Sequence, residues 1–410
     1  MSGSYSVGDI NVDTFLFLSQ RGTLDMSTSF VSASIYESIL APGTVCDVMI
    51  VDTQDQLGTL ILAGDEMVII SFKVLGSISA KYVFAVHELA ELSSVGAQRG
   101  KSYTLKCVSE EAMHDKTNYV IKSYKMLCSQ MIQDVHKTYL RSGKPITLED
   151  TMTPQKMLIQ NENPYAAIKR IRSLSVSATN KSSSYVYFEN RKNEQQAYNY
   201  VTIEKLFQGA SVKTFQQSDA LNTDALLRND NNILAYKLPT QFSSIDRLMN
   251  GAPTRISSKN LTTQEYETRV VSKFDPNLLD GDPTTMTSSA LANTYFNVRN
   301  PPPTHNIIDY YRPATNIPEN IPQQQAFIAD LSQNSIKIRV PGDPVLTAGA
   351  VITCTIPNKN GFTGPRTEDD LISGKFLIAR IHHKIGAFGE QPRYTCVIEC
   401  LKGKYNGGVQ

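Results

Sequence analysis

No window of this 410-residue chain approaches 18 unbroken apolar residues, and the N-terminal stretch "MSGSYSVGDINVD" has no basic segment followed by an apolar core. The first absence excludes a membrane-spanning helix and the second a secretory leader, so the expected setting is the cytosol, or export by a route without a signal peptide. Charge of one sign is lacking too. Forty Lys and Arg stand against 39 Asp and Glu, a net charge of +1, so no global field draws the chain to nucleic acid or an acidic membrane. The six cysteines (Cys46, Cys107, Cys128, Cys354, Cys396, Cys400) form no Cys-x-x-Cys pair and lie in strand-like apolar runs, as buried free thiols of a reducing compartment do. Cys396 and Cys400 share one face of a strand, but about 13 Å of strand separates them, too far for a disulfide.

Catalytic motifs are missing as well. "GAQRGKS" (Gly96 to Ser102) is one residue short of a phosphate-binding loop and leads into a strand rather than a helix, so it reads as a hairpin turn. His87-Glu88-Leu89-Ala90-Glu91 lacks the second histidine of a metalloprotease helix and sits on an alternating strand pattern. His382 and His383 are adjacent, point to opposite faces of a strand and cannot clamp one ion. The acidic pairs Asp65-Glu66, Glu110-Glu111 and Asp369-Asp370 fall at turns, where carboxylates are usually solvated or capping. Lys169, Arg170 and Arg172 read as a solvated helix face. The expectation is a protein that is not an enzyme, with no cofactor and no metal.

What is present is β structure. From Asp13 to Val108 short runs such as "TFLFLSQ", "VCDVMIVD", "MVIISFKV", "KYVFAVHEL" and "SYTLKCVS" alternate with Gly, Pro, Asp and Ser at sandwich or barrel spacing. The apolar stripe Tyr124, Leu127, Met131, Val135 and Tyr139 predicts one amphipathic helix over Lys122 to Leu140. Asn163 and Pro164 predict the start of another, followed by the strands "SYVYFEN" and "AYNYVTIEKL". After Gln208 the pattern weakens: "NILAYKL" and "ETRVVSKF" read as strands and "TQFSSIDRLMNG" as a short helix. Residues 275–325, rich in Pro, Asn and Thr, make either a disordered loop or an extended arm; the cluster Ile307, Ile308, Tyr310 and Tyr311 favours the arm.

From Ser335 the chain is β again, and it echoes its own beginning. "LILAGDEMVIISF" and "VLTAGAVITCTI" both run through Ala-Gly into a strand, and both are followed later by a Tyr-Thr strand, "SYTLKCVS" and "RYTCVIEC". Gly64 and Gly349, with the stiff corner Pro341-Gly342, are therefore candidate structural turns of two like barrels. The expected fold class is mainly β with α+β parts: two similar β-barrel domains, a small α/β domain and an irregular Pro-rich insertion. The expected boundaries are a first barrel at 1–112, an α/β domain at 113–207, a second barrel at 208–250 and 331–405, and an insertion with the Pro-rich arm at 251–330.

Four stretches in order carry a resemblance. "SASIYESILAPGTVCDVMIVDTQDQLGTLILAGDEMVIISF", "SYTLKCVSEEAMHDKTNYVIKSYKMLCSQMIQDVHKTYL", "NPYAAIKRIRSLSVSATNKSSSYVYFEN", and "IKIRVPGDPVLTAGAVITCTIP" with "ISGKFLIARIHHKIGAFGEQPRYTCVIECLKGKYN" resemble the central baseplate hub protein of contractile-tailed bacteriophages, related to type VI secretion spike hub domains and late-control tail proteins. The likeness extends over some two thirds of the chain; residues 208–330 match poorly. It implies a homotrimer whose paired barrels imitate a sixfold ring, joining the tail tube protein to a central spike protein among other baseplate proteins. Tape measure protein and DNA would pass through its channel without sequence-specific binding, no membrane would be contacted in the assembled state, and the place would be the virion tail baseplate, assembled in host cytoplasm. Two alternatives stand beside it: another tail component, tube-like or receptor-binding, and a tail-associated cell-wall hydrolase.

Overall fold

The computed structural model describes residues 10–20, 22–54, 64–74, 78–95, 100–217, 230–238, 254–259, 266–271, 309–310, 335–357, 372–387 and 392–402. Alternating apolar and polar residues set its first part. The strands here are β1 (Ile10–Ser19), β2 (Gly22–Asp25), β3 (Phe30–Ser38), β4 (Val45–Asp52), β5 (Met67–Val74), β6 (Ser79–Val95) and β7 (Gly100–Val108); β4, β5 and β7 bury every second side chain, as β4 does with Cys46, Val48 and Ile50.

Helix α1 (Glu110–Thr117) and strand β8 (Val120–Leu127) follow, then α2 (Cys128–Asp134), which runs on as a π-turn over Val135–Tyr139. The helix expected from Lys122 thus begins six residues late. Lys122 to Leu127 instead pair with β10 (Pro154–Glu162) in a two-stranded sheet, while β9 (Ile146–Leu148) lies between them in the chain and joins another sheet. Then come α3 (Pro164–Arg172), β11 (Tyr185–Lys192), β12 (Gln195–Thr202) and the short α4 (Ile203–Phe207), which takes the end of the run read as strand.

The remaining strands are β13 (Ser211–Gln216), β14 (Ala235–Lys237), β15 (Thr254–Lys259), β16 (Tyr266–Val271), β17 (Asp309–Tyr310), β18 (Ser335–Pro341), β19 (Val351–Thr355), β20 (Gly374–Ala387) and β21 (Pro392–Lys402). β15 pairs antiparallel with β16 and parallel with β17, so Tyr310 of the expected arm lies in a strand. The rest of 275–325, and the helix read in "TQFSSIDRLMNG", lie outside the described residues.

The expected class, mainly β with α+β parts, is what the chain adopts; among the described residues its sheets do not close into barrels. One 13-stranded sheet runs β14-β18-β21-β20-β3-β4-β7-β6-β5-β1-β2, with β19 and β13 branching from β20. The physical reason is at β20. Its first residues, 374–377, pair with β19, and its later ones, Arg380 to Gly386, pair with β3 of the first half, so β3 joins the second half instead of closing the first.

The two halves share one strand order. Reading β3-β4-β7-β6-β5-β1 beside β14-β18-β21-β20-β19-β13 matches each strand to a counterpart in the same chain order. The ladders agree in detail. A bulge interrupts β6 against β7 between Val86 and Glu88, and β20 against β21 between Ile378 and Arg380. Next to it the Val86 amide donates to the Glu66 carbonyl and the Ile378 amide to the Ala350 carbonyl, each 2.9 Å. Counted this way Cys107 matches Cys400, and the two Tyr-Thr pairs stand two residues out of step on the same face. One ladder departs: β1 pairs antiparallel with β5, whereas β13 pairs parallel with β19.

The described residues build two hydrophobic cores. The larger runs without a break from Phe15, Val48 and Leu105 of the first half to Ile338, Leu377 and Ile398 of the second; the smaller gathers Val120, Met131, Ile168 and five tyrosines. The hairpin of β11 and β12 feeds both. Tyr185, Tyr187, Tyr198 and Tyr200 enter the small core, while Val186, Phe188 and Val201 enter the large one, which is why "YVYF" is apolar without alternation.

Candidate functional site

The described residues bring chemistry-bearing side chains together where the two halves and the β11–β12 hairpin meet. Glu37 points inward from β3. Its Oε1 accepts from the Tyr82 hydroxyl at 3.0 Å and its Oε2 from the Ala348 amide, also at 3.0 Å, so one carboxyl holds a strand of the first half and the approach to β19 of the second. Arg191 of the hairpin donates through Nε to the same Tyr82 oxygen at 3.3 Å. On the other side His383 lies 2.7 Å through Nδ1 from the Tyr394 hydroxyl, with Cys396 Sγ 3.4 Å away.

Burial dominates the electrostatics here. Desolvation raises the Glu37 carboxyl to about 7, against the pull of the Ala348 amide, Arg191 and Tyr82. Burial, with Arg191 and His382 beside it, lowers His383 to about 3, so its imidazole is neutral. The 3.9 Å approach of His383 Nε2 to Glu37 is therefore a contact between uncharged imidazole and carboxyl rather than an ion pair.

A second buried group fixes the hairpin to the first half. Glu189 Oε2 accepts from the Thr44 amide and hydroxyl at 3.0 and 2.9 Å, and its Oε1 takes Lys144 Nζ at 2.6 Å and Gln196 Nε2 at 3.0 Å. Lys144 also reaches Glu111 at 2.7 Å. Burial pushes the Glu111 carboxyl up, but Lys144 and Ser142 outweigh it and hold it below the ordinary carboxylate range. Gln196 completes the clamp by accepting the Val83 amide at 2.8 Å. Glu111, read from sequence as a solvated or capping carboxylate, is thus a buried ion-pair member.

The four candidate turn residues fall around this junction and beyond it. Gly64 (φ +95°) is exposed ahead of β5, its amide donating to Glu66 Oε2 at 2.9 Å. Gly349 (φ +84°) sits ahead of β19 with its amide on the Ile378 carbonyl; a side-chain carbon there would lie 2.8 Å from the Phe188 ring of the hairpin. Pro341 ends β18 opposite Thr395. Gly342 donates to the Tyr394 carbonyl, and an added carbon would come within 2.0 Å of the Tyr394 ring. Asp343 locks the corner by accepting the Val345 amide at 3.0 Å and pairing with Lys213 at 2.6 Å.

The histidines are divided as adjacency requires. His383 is buried inside, and His382 stacks outside on Tyr36 with ring centroids 4.1 Å apart. These rings, with Lys337, Arg380 and Glu399, line a groove of about 280 Å³ over the β3–β20 seam. Glu399 there is engaged by Lys337 at 3.4 Å and Arg380 at 3.5 Å. His87 is exposed at the β6 bulge, and Val95 pairs with Gly100, so "GAQRGKS" joins two strands. All six cysteines are free and buried. Among the described residues no three His, Cys, Asp or Glu side chains gather as metal ligands, and no helix is long and apolar enough to cross a membrane.

Sequence reasoning singled out neither Glu37, Arg191, Lys144 nor Glu189. A charged residue inside an apolar strand, as Glu37 is in "SASIYES", was the available signal.

No protein-family model and no curated protein matches the chain. Solved structures do. A tail protein from Neisseria meningitidis MC58 superposes with a TM-score of 0.54 at 8% identity, over 95% of this chain and 96% of that one. The fold is that of phage tail proteins. The 43 kDa tail protein of prophage MuSo2 from Shewanella oneidensis has the same TM-score of 0.54 at 11% identity, over 95% of this chain and 98% of its own. At such identities the tail-protein likeness is one of fold, carried by strand order and core packing rather than by shared residues.

Proposed function

We propose that this tail-protein fold serves as the structural hub of a contractile phage baseplate. The observation that carries the reading is the internal duplication: two halves with one strand order and one bulge position, in a chain whose fold is that of phage tail proteins. Three copies of such a chain present six similar positions around one axis, so a threefold object can mate with a sixfold one. In this reading the first β unit spans 1–112, the α/β unit 113–207 and the second β unit 208–250 with 331–405, while 251–330 is an insertion. The β units face the tail tube, the α/β units hold a trimeric central spike, and other baseplate proteins surround them. The channel passes tape measure protein and DNA, and a net charge of +1 leaves its walls without a strong hold on either. The role is non-catalytic and needs no cofactor.

Mass measurement of the purified chain, alone and mixed with candidate tube and spike subunits, tests this. The expected result is three times the chain's 45.4 kDa, with further mass on adding either partner. A stable single chain that ignores both removes the hub reading.

A further inference from the structure

The two halves match in strand order but not in the charges on the solvent side of their shared sheet. Three adjacent strands of the second half, β18, β21 and β20, line up Lys337, Glu399 and Arg380 in one cross-strand row. The matching row of the first half, on β4, β7 and β6, is Asp47, Lys106 and Glu88, with every sign reversed. Around its row the second half adds Arg339, Lys384 and Arg393, all exposed, where the first half has Met49, Ser93 and Gly100. One strand order carries both patterns, so the fold does not demand the basic one. The net charge of +1 hides this local excess.

The five cations share one face. On β21 Arg393, Thr395, Val397 and Glu399 alternate with the buried Tyr394, Cys396, Ile398 and Cys400, and the ladders set Lys337, Arg339, Arg380 and Lys384 beside them. Glu399, the one carboxylate these strands bring to that face, lies 3.4 Å from Lys337 and 3.5 Å from Arg380. Among the described residues Arg339, Lys384 and Arg393 enter no ion pair. The middle of the face is aromatic. Tyr36, 40% exposed, stacks on His382, and the groove over the seam opens beside them with Lys337 and Arg380 on its wall. His382 Nε2 is buried there without a hydrogen-bond partner. Ser34 and Ser38 of β3, opposite Lys384 and Arg380, add hydroxyls. About 13 Å of strand separates Arg380 from Lys384, and two strand spacings, about 10 Å, separate Arg380 from Lys337, so positive charge borders the stacked pair on two sides.

We infer that this face binds single-stranded nucleic acid, with phosphates on Lys337, Arg339, Arg380, Lys384 and Arg393 and a base stacked on Tyr36. Five cations against one carboxylate suit a chain of uniform charge better than a polypeptide of mixed charge. A part-exposed aromatic stack supplies a surface for any base. A duplex keeps its base faces covered and would use the cations alone. Recognition by charge and stacking carries no sequence preference. The site stands apart from the hub reading and does not depend on it.

Fluorescence anisotropy of a labelled oligothymidylate of about 15 nucleotides, titrated with the full chain, tests it. Binding is expected at micromolar protein in about 50 mM salt, with log K falling against log salt at a slope of about −3, as four to five phosphate contacts give. Arg339→Gln combined with Lys384→Gln should flatten that slope by about 1.4 and weaken binding on the order of tenfold, with the melting curve unchanged because neither side chain makes an ion pair. Tyr36→Ala should weaken binding about tenfold at constant slope, and Tyr36→Phe, which keeps the ring, should restore it. Lys125→Gln, on β8, should change nothing. No binding at tens of micromolar protein overturns the site. So does displacement of the oligomer by polyglutamate at equal charge, which would make this an acidic-protein face, and so does a duplex that binds as tightly and is indifferent to Tyr36→Ala. None of these outcomes alters the mass measurement that decides the hub reading.

Discussion

Glu37 and His383 face each other across the junction with opposite consequences for pH. The Glu37 carboxyl, raised from 4.5 to about 7 by burial, keeps a proton in the folded state that the unfolded chain has already released, so its contribution falls as pH rises through that window. His383, lowered from 6.5 to about 3, refuses a proton that the unfolded chain accepts, so stability is lost as pH falls from 6.5 toward 3. Between 4.5 and 6.5 the two slopes cancel. Arg191, Glu189, Tyr82, Tyr394, Cys396 and His382 are titratable groups that act on the pair. Glu37→Gln removes one slope and keeps the Ala348 and Tyr82 contacts nearly isosteric. Urea unfolding at pH 4.5, 5.5 and 7 should show the variant gaining on the wild type by about 1.4 kcal/mol per pH unit, on the order of 3 kcal/mol in all. A difference that stays flat across the series would place the titration elsewhere.

At the scale of elements, α3 shows how a local signal and a distant partner divide the work. Asn163 and Pro164 mark its start as the sequence suggests, yet the Asn163 side chain turns away to the Asp115 carbonyl at 2.8 Å. Asp115 Oδ1 accepts the Tyr165 amide at 2.7 Å in its place. Asp115→Ala should therefore cost the stability of a lost helix cap, about 1–2 kcal/mol in chemical denaturation, whereas Asn163→Ala should cost less. The strands of both halves were legible because one face of each rests on a core and the residues alternate accordingly. Lys122 to Leu127 were not: Tyr124 is buried on a helix stripe or on a strand alike, and the deciding partner, β10, arrives some thirty residues later. The corner at Pro341-Gly342 could be read from the sequence, but the reason Gly342 must be small, the Tyr394 ring, lies on β21 and is visible only in space. Buried charges such as Lys144 and Glu189 leave no local periodicity, since three separate segments create their surroundings.

For the whole molecule the central fact is that sheet and core both cross the seam between halves. Ile35 and Val48 on one side and Ile381 and Ile398 on the other belong to one buried cluster, and β3 is hydrogen-bonded to β20 over seven residue pairs. The two halves should accordingly unfold as one cooperative unit. Hydrogen exchange in rising denaturant should strip amides of β4 and β21 at the same concentration, and separate losses would contradict a shared core.

The β3–β20 seam also changes the arithmetic of growth. A joint made within a single polypeptide forms at the high effective concentration of a tethered pair, whatever the dilution of the protein in the cell. In the hub proposed above, every other contact around the ring would thus arrive already made, and the two kinds of unit would alternate in strict one-to-one proportion because the peptide backbone permits no other count.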